Sequence, residues 1–165
     1  QVSPARLRDR VYRKASELAY EIAAKLEITG LLAVEMFLDK EENLFVNEQA
    51  PRPHNSGHHT IDSAYTSQYE QHLRALFGFP LGSTKLKTPS VMMNLLGDEG
   101  YSGPADYKGL TDSLGIEGVK IHIYGKRETR PYRKMGHATI LDRTIEDAIE
   151  KVAQVKKLLK VRSVP

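Results

Sequence analysis

Asn47-Glu48-Gln49-Ala50-Pro51-Arg52-Pro53-His54-Asn55-Ser56-Gly57-His58-His59 decides how the rest of this chain is read. An acid, an arginine, asparagine and three histidines stand together, with two prolines and a glycine to fix the backbone. A strand that only packs against a core has no use for so many polar groups in one place. Upstream, Leu31 to Leu38 reads as a strand with Glu35 inside an otherwise apolar run, Asp39 to Asn43 as a polar turn, and Leu44 to Gln49 as a second strand. A turn centred between Glu41 and Glu42 sets Leu38 against Phe45 and Glu35 against Glu48. Side chains directly opposite on one face have Cβ atoms about 4.5–5.5 Å apart. Two bare carboxylates that close repel, so the pair takes up a proton or a cation. Mg²⁺ needs hard oxygen ligands and shares them with phosphate oxygens. The hairpin is therefore a candidate platform for a metal nucleotide. The competing reading puts Glu35 on the solvent face of an edge strand and makes Glu48 a strand-end charge. Asp39, Glu41 and Glu42 are assigned to solvent.

Beyond Glu48, Pro51 and Pro53 bracket Arg52 and hold the residues before them extended. Arg52, His54 and Asn55 are thus presented on a stiff loop. A guanidinium donates two parallel hydrogen bonds to a planar anion, and bicarbonate and carboxyphosphate have that shape. Histidine carries protons or donates while neutral, and asparagine orients either group. Three histidines within six residues also raise zinc. Pro53, Ser56 and Gly57 oppose the helix that would align His54 with His58, and no glutamate lies between them as a metalloprotease needs, so zinc is disfavoured. His58 and His59 are left as ordinary packed or surface residues.

The remaining chain reads as two units. Ser3-Pro4 gives a helix start, and Val11, Ala15, Leu18, Ala19, Ile22 and Leu26 recur at helical spacing until Gly30. A second helix is expected over Ala64 to Phe77, with Tyr69, Leu73, Leu76 and Phe77 as its apolar face. Residues 1–78 form the first unit. The stretch Pro80 to Pro89, with two prolines, a glycine and little to bury, reads as a linker, which puts residues 79–88 between the units. Residues 89–165 form a second unit: a buried strand Val91 to Leu96, a helix Asp106 to Leu114, strands Val119 to Tyr124 and Gly136 to Leu141, and a last helix. That helix opens on Thr144-Ile145-Glu146-Asp147 and buries Ile145, Ala148, Ile149, Val152, Val155 and Leu159. The expected class is α+β with mostly antiparallel strands.

Lys126, Arg127, Arg130, Arg133 and Lys134 crowd one loop of the second unit, framed by Gly125 and Gly136. Fixed positive charge between two strands makes a phosphate site. A solvated basic loop is the plainer reading. A nucleic-acid surface is opposed by the few aromatic residues interleaved there, Tyr124 and Tyr132. His72, His122 and His137 have no partner identifiable from sequence. The net charge of +3 is too mild to demand a polyanion. The absence of cysteine excludes disulfides and thiolate metal sites and suits a reducing cytoplasm. No apolar run approaches the length of a membrane span.

Five strings resemble one family. Val34-Glu35-Met36-Phe37, the Asn47 to His58 stretch and Thr66-Ser67-Gln68-Tyr69-Glu70-Gln71-His72-Leu73-Arg74-Ala75 are similar to the ATP-grasp enzymes that make N5-carboxyaminoimidazole ribonucleotide. Tyr124-Gly125-Lys126 with Arg130-Pro131-Tyr132-Arg133-Lys134-Met135-Gly136-His137 resembles the C-terminal domain of that family. The resemblance implies the end of an ATP-grasp domain followed by a small α/β domain. It implies ATP-dependent carboxylation of 5-aminoimidazole ribonucleotide by bicarbonate, through carboxyphosphate, in de novo purine biosynthesis. By motif position, Glu35 and Glu48 would bind Mg²⁺ (or Mn²⁺), with Asn47 and Glu48 at the ATP nucleotide. Arg52 would hold bicarbonate or carboxyphosphate, and His54 and Asn55 would meet the aminoimidazole. Lys126, Arg133 and Lys134 would hold the ribonucleotide phosphate. The family implies small-molecule partners, a homodimer, and neither nucleic acid nor membrane.

Two positions depart from the pattern. Ala50 stands where many ATP-grasp enzymes place an asparagine metal ligand, and Tyr132 stands where family members often have glycine. The chain starts at Gln1, without the family's N-terminal domain or the first part of its ATP-grasp domain, so the expectation is a C-terminal piece inactive by itself. The alternatives are another ATP-grasp carboxylase or ligase, and a non-catalytic module that binds phosphate or nucleic acid.

Overall fold

A computed structural model describes residues 1–164. Its elements are β1 (Val2–Ser3), α1 (Asp9–Lys25), β2 (Ala33–Leu38), β3 (Leu44–Ala50), α2 (Thr60–Ser63), α3 (Gln68–Leu76), β4 (Ser90–Leu96), β5 (Gly103–Lys108), α4 (Leu110–Leu114), β6 (Val119–Ile123), β7 (Glu128–Thr129), β8 (Lys134–Leu141), α5 (Ile145–Leu158) and β9 (Lys160–Ser163). Every strand pair is antiparallel, and the class is α+β as expected. The chain divides into two compact units. One comprises residues 1–4, 62–64 and 86–164, and the other residues 5–61 and 65–85. Residues 79–88 carry no helix or strand, although Leu86 bridges to Ala64.

The unit that holds most of the C-terminal half has the larger core. Its four-stranded sheet runs β1-β4-β8-β6, and a three-stranded sheet runs β7-β5-β9. Strand β8 is covered on both faces: Met135, Ala138 and Ile140 have no exposed surface, and His137 and Thr139 between them are buried as well. Ala148, Val152, Val155 and Leu159 bring the apolar face of α5 into the same cluster. Thr144 caps α5 by accepting the Asp147 N–H at 3.1 Å, as its sequence predicts. Ile149 stays exposed.

The helix expected over Asp106 to Leu114 is split. Asp106 lies inside β5, which pairs with β9, and only Leu110–Leu114 is helical. Gly109 makes the break. It sits at φ +69°, and a Cβ there would approach the Leu158 carbonyl oxygen to 2.2 Å. Strands β7 and β9 were not foreseen, because each is short and leans on β5 rather than on its own periodicity.

The other unit is built on α1, the β2–β3 hairpin and α3. The expected helix start at Ser3-Pro4 is not found: Val2 and Ser3 pair with β4, the Ser3–Pro4 bond is cis, and α1 begins at Asp9. Helix α3 starts later than expected because Ser67 is its N-cap, accepting the Glu70 N–H at 3.2 Å. The expected apolar face of α3 is exposed: Tyr69, Leu73, Leu76 and Phe77 all stand in solvent. Its buried residue is Gln68. Glu42, assigned to solvent, is also corrected. Its side chain is 12% exposed and is gripped by Arg8 and Arg10.

Candidate active site

The hairpin register is the local fact that builds the site. From the turn outward, Leu38 faces Leu44, Phe37 faces Phe45 and Met36 faces Val46. The expected Leu38–Phe45 pair is therefore wrong by one residue. A bulge then shifts the ladder, and Glu35 faces Glu48, Val34 faces Gln49 and Ala33 faces Ala50. Asn47 is the extra residue. A bulge lets one strand turn additional side chains toward its partner. Here Asn47 Nδ2 lies 3.4 Å from Glu35 Oε2, so Asn47 and Glu48 both address Glu35.

The loop after β3 returns a histidine to this pair. The Arg52 N–H donates to the Ala50 carbonyl at 2.8 Å and tightens the chain at Pro51. His54 precedes a 3₁₀ turn at Asn55–Gly57, and its ring accepts from the Ser56 N–H. Its Nε2 lies 3.2 Å from Glu48 Oε1, and its Nδ1 lies 3.6 Å from Glu35 Oε1 and 2.9 Å from Ser56 Oγ. One ligand atom from each of Glu35, Glu48 and His54 falls within 4.8 Å of the others. Sequence reasoning put the two acids together, but it did not put His54 between them, since that depends on how the proline loop turns back.

The other candidates lie as follows. Arg52 is exposed, and its Nη1 donates to the Pro53 carbonyl at 3.0 Å. Asn55 opens the 3₁₀ turn, and its carbonyl accepts the His58 N–H at 3.2 Å. In the other unit, Lys126, Arg133 and Lys134 gather on the β6–β8 connection. Lys126 Nζ donates to the Lys134 carbonyl at 2.6 Å, and Arg133 Nη1 donates to the Glu128 carbonyl at 2.8 Å. Both bonds go to neutral oxygens. Tyr132, at φ +62°, adopts the left-handed conformation that glycine takes most easily. Tyr124 lies under Lys126, with Nζ 5.8 Å from its ring centre, and its hydroxyl is 3.0 Å from Nδ1 of the buried His137. His137 stacks on His122, whose Nε2 is 2.8 Å from Asp62 Oδ2.

Helix α3 supplies residues that the sequence did not flag. Gln68 accepts the His54 N–H at 2.9 Å and donates to the His54 carbonyl at 2.9 Å. Gln71 holds Gly82 the same way, at 2.8 and 2.9 Å. His72 Nδ1 accepts the Leu31 N–H at 3.0 Å, just ahead of β2. The signal was present, as two glutamines and a histidine within five residues, but polar helix residues are read by default as solvent-facing.

The residues match two known families in order. The ATP-grasp domain family matches residues 1–69, and the phosphoribosylaminoimidazole carboxylase C-terminal domain family matches residues 90–151. The N5-carboxyaminoimidazole ribonucleotide synthase of Bacillus subtilis is 46% identical over 151 residues, which cover 92% of this chain and 38% of that protein. The crystal structure of the Thermotoga maritima N5-carboxyaminoimidazole ribonucleotide synthetase superposes with a TM-score of 0.95 at 53% identity, over 99% of this chain and 45% of that one. The Aspergillus clavatus enzyme in complex with ADP and 5-aminoimidazole ribonucleotide superposes with a TM-score of 0.84 at 33% identity, over 94% of this chain and 42% of that one. The chain spans about two fifths of the length of the curated relatives it matches. In its sequence, its fold and the order of its two domains, the chain belongs to the N5-carboxyaminoimidazole ribonucleotide synthetase family of ATP-grasp proteins.

Proposed function

We propose that this chain supplies the metal-binding end of the nucleotide site and the ribonucleotide-phosphate site of an ATP-dependent ligase. That ligase carboxylates 5-aminoimidazole ribonucleotide with bicarbonate, through carboxyphosphate, in purine biosynthesis. The observation that carries the reading is the meeting of Glu35, Glu48 and His54 on a bulged hairpin within a chain of this family. Two carboxylates with the Asn47 amide beside them are a hard-oxygen donor set, the kind that Mg²⁺ or Mn²⁺ accepts together with phosphate oxygens. Glu35 and Glu48 would hold the ion, with Asn47 and Glu48 next to the ATP phosphates. When bound, the ion neutralises phosphate charge.

The protein's own side chains then do work that is mostly positioning and charge stabilisation. Arg52 would hold the planar bicarbonate or carboxyphosphate. Its exposed guanidinium need only leave the Pro53 carbonyl to do so. His54 and Asn55 would orient the aminoimidazole and handle its proton. Lys126, Arg133 and Lys134 would hold the substrate phosphate, and the bonds of Lys126 and Arg133 to neutral carbonyls leave their charge available to it. The pathway belongs to the cytoplasm, and a homodimer is the expected assembly. Among the described residues no helix is long and apolar enough to cross a membrane. The chain alone is expected to be inactive.

A chimera tests this reading. The matching segment of the Thermotoga maritima synthetase is replaced by this chain, and ADP release is measured. Turnover that needs both bicarbonate and 5-aminoimidazole ribonucleotide is expected. A folded chimera that turns over with biotin as acceptor, or not at all, would refute it. Bicarbonate-dependent turnover by the isolated 165-residue chain would overturn the expected inactivity.

A further inference from the structure

Gln68 is 6% exposed, and all of its amide is used. Main-chain groups have fixed polarity, so they decide which end of a side-chain amide is which. The His54 N–H can only donate, so the atom 2.9 Å from it is the amide oxygen. The His54 carbonyl can only accept, so the atom 2.9 Å from it is the amide nitrogen. That same nitrogen lies 2.9 Å from Nδ1 of His58 and has only hydrogens to offer. His58 Nδ1 must therefore be the acceptor, and the ring proton of the neutral side chain sits on Nε2. Tyr69 is compatible with either tautomer: its hydroxyl, 3.0 Å from the same Nδ1, can donate or accept, and its ring stacks on His58 with centres 5.9 Å apart.

We infer that Gln68 is a positioning residue of the candidate site, one that clasps the main chain of His54 and fixes His58 as its neutral Nε2–H tautomer. The surroundings leave the clasp little freedom. The Gln68 N–H donates to Thr60 Oγ1 at 2.9 Å, and that hydroxyl donates to the Gly57 carbonyl at 2.5 Å. A Cβ at Gly57 would stand 2.3 Å from Gln68 Oε1, so the 3₁₀ turn closes directly against the amide. His54 is thereby held at both of its main-chain polar groups while its ring reaches the two glutamates. The functional meaning of this clasp rests on the proposed site; the tautomer does not.

Long-range ¹⁵N–¹H correlation spectra of the 165-residue chain read the tautomer directly. At a pH where His58 is neutral, its Nδ1 is expected to resonate as the unprotonated nitrogen and its Nε2 as the protonated one. A protonated Nδ1 in the neutral ring would overturn the inference. Gln68→Glu keeps an acceptor for the His54 N–H and replaces the amide donor by a carboxylate oxygen, so neutral His58 is expected to switch to the Nδ1–H form. Tyr69→Phe removes only the hydroxyl and is expected to leave the tautomer unchanged. A switch in Tyr69→Phe would move the role to Tyr69 and sink the inference, even if Gln68→Glu fails to fold. Mn²⁺ separates this inference from the site reading. In the parent chain it is expected to broaden Glu35, Glu48 and His54 together. In Gln68→Glu the two glutamates should still broaden while His54 broadens less. No broadening in the parent counts against the metal site alone. Equal broadening of His54 in a folded Gln68→Glu chain counts against the positioning role.

Discussion

Two of the three non-glycine residues with a left-handed backbone predict opposite outcomes. Tyr132 has φ +62° and is 66% exposed; Glu42 has φ +64° and is 12% exposed at its side chain. A non-glycine residue in that region costs about 1–2 kcal/mol. A glycine there loses more chain entropy on folding, by about 0.4–1 kcal/mol. With its side chain mostly in solvent, Tyr132→Gly should stabilise the chain by roughly 0.5–1 kcal/mol, read as a higher urea midpoint. Glu42 is different because Arg8 and Arg10 close on its carboxylate. Both arginines are mostly exposed, which discounts the pair. The two charge-assisted contacts still outweigh the relieved strain, so Glu42→Gly should destabilise by about 1 kcal/mol. At the site itself, Glu48→Gln removes one of two carboxylates and with it the negative charge beside His54 Nε2. Mn²⁺ affinity, followed by paramagnetic broadening, is expected to fall on the order of tenfold or more. Unchanged affinity would locate the ion elsewhere.

Elements were legible where burial follows periodicity. The capped, one-faced α5 could be read from residue type alone, because one side of it meets a core. The acid pair was legible for a related reason, since a hairpin limits which residues can oppose each other. Its route was not, because the bulge at Asn47 is set by how the ladder closes and not by a local motif. Helix α3 inverts the usual rule. Its apolar residues face solvent, while Gln68, Gln71 and His72 hold the main chain of three separate segments. No pattern of apolar spacing announces a helix whose inner face is made of amides. Gln71 tests whether that face is structural. Gln71→Leu leaves the Gly82 N–H and carbonyl without their partners, and a lost buried partner costs about 1–3 kcal/mol. Gly82 is half-buried, so a loss of about 1–2 kcal/mol in urea unfolding is expected. A variant as stable as the parent would show that water replaces the clasp at no cost.

At the scale of the whole molecule the two compact units carry different acid sensitivities. In the unit of residues 5–61 and 65–85, burial holds the His59 imidazole below its ordinary value of 6.5. The folded unit then binds fewer protons than the unfolded chain, so its stability is greatest above about pH 6.5 and declines as pH falls through that value toward the folded one. In the other unit, Asp142 is held below its ordinary 3.8 by Lys151, whose Nζ is 2.6 Å away, and by the Arg143 N–H. That contribution is complete above about pH 3.8 and is lost only as pH falls through the folded value. The signs agree, but the windows do not. Core size acts in the same direction: the buried apolar cluster belongs to the Asp142 unit, whereas Tyr12, Tyr20, Phe37 and Phe45 of the His59 unit lie exposed. Amide hydrogen exchange between pH 7 and 4 should therefore show β2, β3 and α3 losing protection first, while β4, β8 and α5 keep theirs. His59→Gln should remove the early loss, because an uncharged side chain has no proton to gain. Simultaneous loss in both units, or an early loss that persists in His59→Gln, would show that the histidine does not set the first transition.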